Sequence, residues 1–426
     1  MQLQFRGLLL LLLAPIATLA AELWSDAQAL TLEAAVEQAL LKAPQLAAQV
    51  ASHDAAQALT ESAGRLPDPQ LVVGLDNLPV TGADAYSTTR DFMTMRRIGV
   101  MQEFPAAQKR RLRRDRAEAQ SSLAGAELTQ VRLAIAREVA DAWIRRRTAA
   151  TTVASLQALE PTVELQAAAA EAAIIAGRGS TAEALAAQAT VVELANRVIR
   201  LQSEERRAVL ELERWLGQDA LRPPGPMPAF DRLPVPAAAL LASVHEHGAL
   251  LPFDARAAAA RLDIELAKAD RRPDWSAELV YAERGPDFSD MVSLEVRVGL
   301  PLFARHRQNP VVAAKGAELR RIEADRESEV RMHTAELRQA LTEWELLGGQ
   351  IEQYERQLLP LARERSRAAL AVYRGGQADL RLALDAFQQE IESLIEHASL
   401  TNERGRVWAY LRYLGPQPPQ PQVSTP

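Results

Sequence analysis

Few side chains in this sequence are spaced for chemistry. Met93, Met95 and Met101 are soft ligands of the kind that hold copper. Methionine also fills apolar gaps, and no histidine or cysteine joins these three. His245 and His247 are two residues apart, which on a helix turns them to different faces. The run Lys109-Arg110-Arg111-Leu112-Arg113-Arg114 could meet nucleic acid or an anionic membrane surface. At the start of a helix the same run reads as a solvated, salt-bridged face. No nucleophile elbow, phosphate loop or zinc signature occurs, and paired acids are frequent only because the helical segments are rich in glutamate. The sequence therefore offers no catalytic set, no metal site and no cofactor site, and attention passes to the residues that shape the backbone.

Those residues are glycines. Ile174-Ile175-Ala176-Gly177-Arg178-Gly179-Ser180-Thr181-Ala182-Glu183 interrupts one long helical pattern, and Val372-Tyr373-Arg374-Gly375-Gly376-Gln377-Ala378-Asp379 interrupts another. A glycine inside a helix costs about 1 kcal/mol against alanine, so each close pair argues for a reversal. Gly177 and Gly376 lie 199 residues apart, as do Pro161 and Pro360, and Gly217 and Gly415 lie 198 apart. The spacing predicts one unit written twice.

With 426 residues and no cysteine, the chain has no disulfide framework, and its net charge of −6 gives no reason to propose nucleic acid as a partner. Aromatic residues make up only 5%, too few for a large aromatic core. Arg6, the apolar run from Leu8 through Ile16, and the small residues Thr18 and Ala20 read as a signal peptide over 1–21. That run is too short to span a bilayer as a helix. If the mature chain enters a membrane, it must do so with strands.

The first repeat is expected over 22–220. Thr31 caps a helix, Pro44 interrupts it, and a second helix ends at Gly64. Short strands come next, near 68–76 and 95–104, the second stopped by Pro105. A helix over 106–176 would extend about 105 Å without a break. It carries two adjacent apolar stripes, Leu128-Val131-Ile135-Val139-Trp143 and Leu133-Ala136-Ala140-Ile144, which suit packing on both sides. A return helix over 181–216 succeeds the glycine turn. Residues 221–236 form a stiff proline-rich connector.

The second repeat, 237–415, replays this order. Helical residues run over 237–269 with Pro252 where the first half has Pro44, strands lie near 274–283 and 291–300, a long helix covers 311–372 and a return helix 379–414. The tail over 416–426 is expected to be disordered. Val292, Leu294, Val296, Val298 and Leu300 alternate with Ser293, Glu295, Arg297 and Gly299. One face is aliphatic and the other charged, as a wall between lipid and a wet lumen requires. Leu337, Leu341, Trp344, Leu347, Ile351, Tyr354, Leu358 and Leu361 form a near-heptad seam on the long helix. Four strands cannot close a useful barrel, and open edges in lipid are not tolerated, so closure must come from several copies.

In this duplicated order the chain resembles the TolC family of outer-membrane efflux proteins. Family turns often read Y-R-x-G-x-x-S-x-x-E/D-x-x-D-A. The first turn matches at Gly177, Ser180 and Glu183. The second matches at Tyr373, Arg374, Gly376 and Asp385-Ala386, has Asp379 in the serine place and departs at Leu382. Leu75-Asp76-Asn77-Leu78-Pro79 and the stretch from Met93 to Pro105 are similar, more weakly, to the heavy-metal (CzcC-like) branch. The resemblance implies a mainly α chain with a small β part. It implies a homotrimer whose strands form one 12-stranded barrel in outer-membrane lipid, continuous with an α-helical barrel across the periplasm.

It also implies a passive exit duct for a periplasmic adaptor and an inner-membrane pump of the resistance-nodulation-division type. Gly177, Arg178, Gly179, Ser180, Arg374, Gly375, Gly376 and Gln377 would form the adaptor-docking tip. Asp385, with Glu183 and Asp379 behind it, would form a ring of carboxylates at the pore constriction, since symmetry repeats each acid around the lumen. A solvated helix-surface acid explains each of the three equally well. The competing reading is a periplasmic coiled-coil adaptor or scaffold, which accounts for the helices and turns but not for strands with lipid-type alternation.

Overall fold

The computed structural model describes residues 29–177 and 179–415. The signal peptide expected over 1–21 and the tail expected over 416–426 lie outside the described residues, as does Arg178. The chain is mainly helical with one small antiparallel sheet and divides into two compact units. One holds 47–129 and 249–331, the other the remaining segments to 46, 130–248 and from 332 onward.

In chain order the described elements are α1 (Leu32–Lys42), α2 (Pro44–Ala63), β1 (Gln70–Asp76), β2 (Met95–Phe104), α3 (Ala107–Gln157), α4 (Glu160–Ile175) and α5 (Thr181–Leu216). Then come α6 (Ala237–Ala242), α7 (Leu251–Ala269), β3 (Trp275–Glu283), β4 (Met291–Val298), α8 (Gln308–Gln353), α9 (Leu359–Arg374) and α10 (Leu380–Arg412). The succession of two helices, two strands and three helices thus occurs in each half.

The first unit is built on the sheet, in the order β1-β2-β3-β4. Its register sorts side chains onto two faces, because paired residues of antiparallel strands point the same way. Val73, Ile98, Tyr281 and Val292 share one row, and Leu71, Val100, Leu279 and Leu294 the next. All eight are exposed on one continuous apolar face. The opposite face carries Arg97 bonded to Asp76 at 3.0 Å, and Arg297 bridging Glu278 at 2.8 Å and Glu295 at 2.6 Å. On the apolar face the ions are confined to the loop end, where Arg96 pairs with Glu283 at 2.8 Å; a wall between water and lipid has the same division.

The second unit is a helical bundle. Both stripes of α3 are buried from Leu133 to Ile144, so this helix is packed on two sides. Indole N–H groups hold non-helical segments against the bundle. Trp143 donates to the Leu30 carbonyl at 2.8 Å, Trp344 to Phe230 at 2.9 Å and Trp408 to Arg232 at 2.9 Å. No helix among the described residues is long and apolar enough to cross a membrane.

Two expectations need correction, and proline is the reason in each. The helix expected over 106–176 is broken: α3 ends at Gln157, and α4 opens with Pro161 in its first turn. Proline lacks the N–H that would bond the Gln157 carbonyl, and its ring clashes there. The helix expected over 311–372 is interrupted just before Pro360 by a π turn, Tyr354–Leu358, in which the Leu359 N–H reaches back to Tyr354. The wider turn lets the chain pass the proline and rotates α9 relative to α8. The seam therefore stays inward at Leu337, Leu347 and Ile351 but is exposed at Leu358 and Leu361, where Leu359, Ser366 and Ala369 are buried instead. The helical stretch expected over 237–269 is α6, a 3-10 turn at Val244–Glu246, and α7 with Pro252 at its start.

Candidate functional site: the paired helix turns

The two turns share a left-handed glycine and its bond to the carbonyl three residues back. At the end of α9, Gly375 caps the helix and Gly376 takes φ +68, the left-handed region open to glycine. The Gly376 N–H bonds the Tyr373 carbonyl at 2.9 Å and the Gln377 N–H bonds Val372 at 3.1 Å, the paired closure of a Schellman motif. At the end of α4, Gly177 takes φ +69 and bonds the Ile174 carbonyl at 2.9 Å, while the Gly179 N–H bonds Ala173 at 3.0 Å. A β-carbon on Gly177 or Gly376 would meet nothing within 4 Å, whereas one on Gly179 would sit 2.9 Å from the Ala173 β-carbon. The first two positions demand glycine for backbone conformation, the third for space.

The helix starts beyond the two turns differ. Ser180 accepts from the Glu183 N–H, and the Glu183 carboxylate accepts from the Ser180 N–H, both at 3.2 Å, forming a full capping box on α5. Asp379 occupies the same place ahead of α10, but its side chain makes no cap bond.

Small residues bring the two hairpins together. Ala167, Ala170, Ala184 and Ala187 of the first pack with Ala369, Leu380, Ala383 and Leu384 of the second, so both turns lie at one end of the bundle. Polar side chains tie α5 to α10: Gln388 donates to Glu193 at 3.0 Å and Arg197 approaches Glu392 at 3.5 Å.

The acids named from the sequence separate on inspection. Glu183 is committed to the capping box. Asp379 is exposed. Asp385 is exposed one turn into α10, with the Arg381 guanidinium 4.0 Å away, a surface pair of small energetic weight. Arg374, Gly375 and Gln377 are exposed at the second turn. Sequence reasoning missed Ile175, which stands 89% exposed beside Gly177. The signal was present: an isoleucine pair closes an otherwise alanine-rich helix.

One further reading, that of Lys109, is corrected, and one buried contact is new. His247 and His333 meet in the helical unit, buried, with His247 Nδ1 2.9 Å from His333 Nε2 and the rings edge to face. Burial, with the charge of His333, lowers the His247 pKa to about 4. Spacing along the chain could not show this, because the partner lies 86 residues on. Lys109, grouped with a solvated run, is buried and bonds Asp274 at 2.8 Å.

Residues 35–218 match the outer membrane efflux protein family. Proteins of that family are transport conduits and not enzymes. No curated protein matches the chain in sequence. Solved structures share the fold across nearly the whole chain. A membrane protein from Pseudomonas aeruginosa superposes with a TM-score of 0.78 at 19% identity, covering 90% of both chains. The channel-forming CusC gives 0.76 at 15%, covering 90% of this chain and 92% of its own. The outer membrane protein VceC of Vibrio cholerae gives 0.74 at 22%, covering 90% and 96%.

Proposed function

We propose that this chain is one protomer of a trimeric TolC-type efflux duct in the outer membrane, built by duplication of one helix-strand-strand-helix unit. The observation that carries the reading is the sheet: four strands with one bare apolar face and two open edges, β1 and β4. Open strand edges in lipid leave amides without partners, so the edges pair with copies of the chain, and three copies give the 12-stranded barrel. The helices continue the passage into the periplasm. A soluble scaffold would not leave that face uncovered.

The paired turns are the docking tip for a periplasmic adaptor. Gly177 and Gly376 present open backbone there, and Ile175 adds an apolar contact. Gly179, Ser180, Arg374, Gly375 and Gln377 complete the surface, and Arg178 falls between them in sequence. Asp385 and Asp379 line the constriction, while Glu183 is held back by its cap. An inner-membrane pump of the resistance-nodulation-division type supplies energy and chooses the cargo. Heavy-metal cations, suggested by the loop resemblance, enter this picture as cargo and not as resident ligands.

The test is reconstitution. The purified chain should run as a trimer in detergent and give stable conductance steps in a planar bilayer. A monomer that leaves the bilayer silent would sink the reading. Replacing Gly177 or Gly376 with a bulky residue should abolish efflux in cells while trimers persist. Normal export by such variants would remove the turns from the docking surface.

A further inference from the structure

The end of the sheet where strands meet the long helices carries a charge the rest of the chain does not. Segments 65–70, 103–114, 270–275 and 299–307 flank that end and hold ten lysines and arginines against four acids, in a chain of net charge −6. The hairpin segments at the other end, 77–94 and 284–290, hold two arginines against four acids. The sheet is therefore polarised along its strands.

Part of this charge is spent internally. Lys109 bonds Asp274 at 2.8 Å and lies 3.6 Å from Asp270, and Arg114 approaches Asp115 and Glu118 at 3.5 Å. Arg111, Arg272 and Arg307 are exposed and make no ion pair among the described residues, and exposed Arg113 acts only at longer range, on Asp274. A cavity of about 420 Å³ opens at this end, with Arg272 and Arg307 on its polar wall beside Lys109 and the two carboxylates it pairs, Asp270 and Asp274, and with Leu300 and Pro301 on its apolar wall. Beside it Trp275 stacks on Phe104 with ring centres 4.1 Å apart. Leu302 and Phe303 stand about three-quarters exposed, at 75% and 73%. Free cations next to bare aromatic and aliphatic side chains, at the rim of an apolar face, match the boundary between headgroups and acyl chains.

We propose that this end of the sheet binds the anionic phospholipid of the leaflet facing the helices, its phosphate held by Arg272 and Arg307 with Arg111 and Arg113 alongside. Trp275 and Phe303 seat at the acyl boundary. The inference rests on the sheet being a membrane wall. It adds which lipid charge the wall selects and at which end. Nucleic acid is the poorer occupant, because the apolar face begins where the cations stop.

The full chain would be reconstituted in phosphatidylcholine nanodiscs containing phosphatidylglycerol, extracted, and its retained lipids counted by native mass spectrometry. Each basic residue at an anionic surface contributes about a fivefold preference, so the wild type should retain phosphatidylglycerol over phosphatidylcholine by about tenfold or more. High salt should reduce that ratio. The variant R111Q/R113Q/R272Q/R307Q should fall to within about twofold of no preference, while the control R320Q/R338Q keeps it. Equal retention of both lipids by wild type, or full preference in the quadruple variant, would overturn the proposal. Displacement of the lipid by millimolar inorganic phosphate would overturn it in favour of a free-anion site. Failure to enter nanodiscs of either composition would instead overturn the membrane wall itself, and this inference with it.

Discussion

Gly376 offers a clean perturbation. Its φ of +68 is a conformation that costs an alanine about 1–2 kcal/mol, and a β-carbon there would meet no atom within 4 Å. The cost of Gly376→Ala is thus conformational alone, with no steric addition. The bond that reports it is the Gln377 N–H on the Val372 carbonyl, 3.1 Å long, which closes the turn. A loss of 1–2 kcal/mol in local stability should speed hydrogen exchange at that amide about 5- to 30-fold. Gly376→Asn should cost less, since asparagine tolerates the left-handed region. Gly179→Ala should disturb more of the chain, because its β-carbon would lie 2.9 Å from both the Ala173 β-carbon and the Ile174 amide nitrogen, and the last turn of α4 must shift. Exchange at Gln377 unchanged in Gly376→Ala would refute the left-handed turn and the reasoning built on it.

Ser180→Ala removes a two-sided cap and should loosen the first turn of α5 by about 1 kcal/mol, whereas Asp379→Ala should leave α10 nearly unchanged; exchange at the first-turn amides compares them. Asp385→Asn should lower cation-over-anion permeability in single-channel recordings, because the proposed trimer would repeat the lost charge; identical selectivity would take Asp385 out of the pore. His247, held neutral down to about pH 4, binds its proton more readily in the unfolded chain, whose imidazole titrates near 6.5. Stability should therefore fall as pH drops from about 6.5 to about 4 and level off below. His247→Gln should flatten that dependence in a urea or thermal series.

Much of the architecture was written in residue patterns that depend on near neighbours. Alternation at Val292, Leu294, Val296 and Val298 marked β4, and the glycine pairs marked both reversals. The limits lie where one residue acts on a helix already committed. Pro161 and Pro360 are visible as markers of the repeat, yet their effect on the helices is masked in sequence, because the apolar period carries across each break. The π turn before Pro360 then reversed the exposure of Leu358 and Leu361, a rotation no linear seam can register. At the turns, sequence supplied the glycines but could not rank the acids. Ser180 and Glu183 form a capping signature at a spacing of three, and recognising it would have separated Glu183 from Asp385 in advance. His247 with His333 depends on packing between distant segments.

The pairing of β2 with β3 sets an order of events during synthesis. Strands β1 and β2 come from the first half of the chain and β3 and β4 from the second, so the central seam of the sheet joins Phe104 to Trp275. Loop closure over such a separation is slow compared with forming either hairpin. By contrast, the bond from Trp143 to Leu30 lies wholly within the first half and that from Trp344 to Phe230 close to the second. Each hairpin can form within its own half, while the β2–β3 seam, like the packing of α5 on α10, waits for the second half. The continuous apolar face is then completed only after the second hairpin has been made, so neither hairpin alone exposes the whole of it in water.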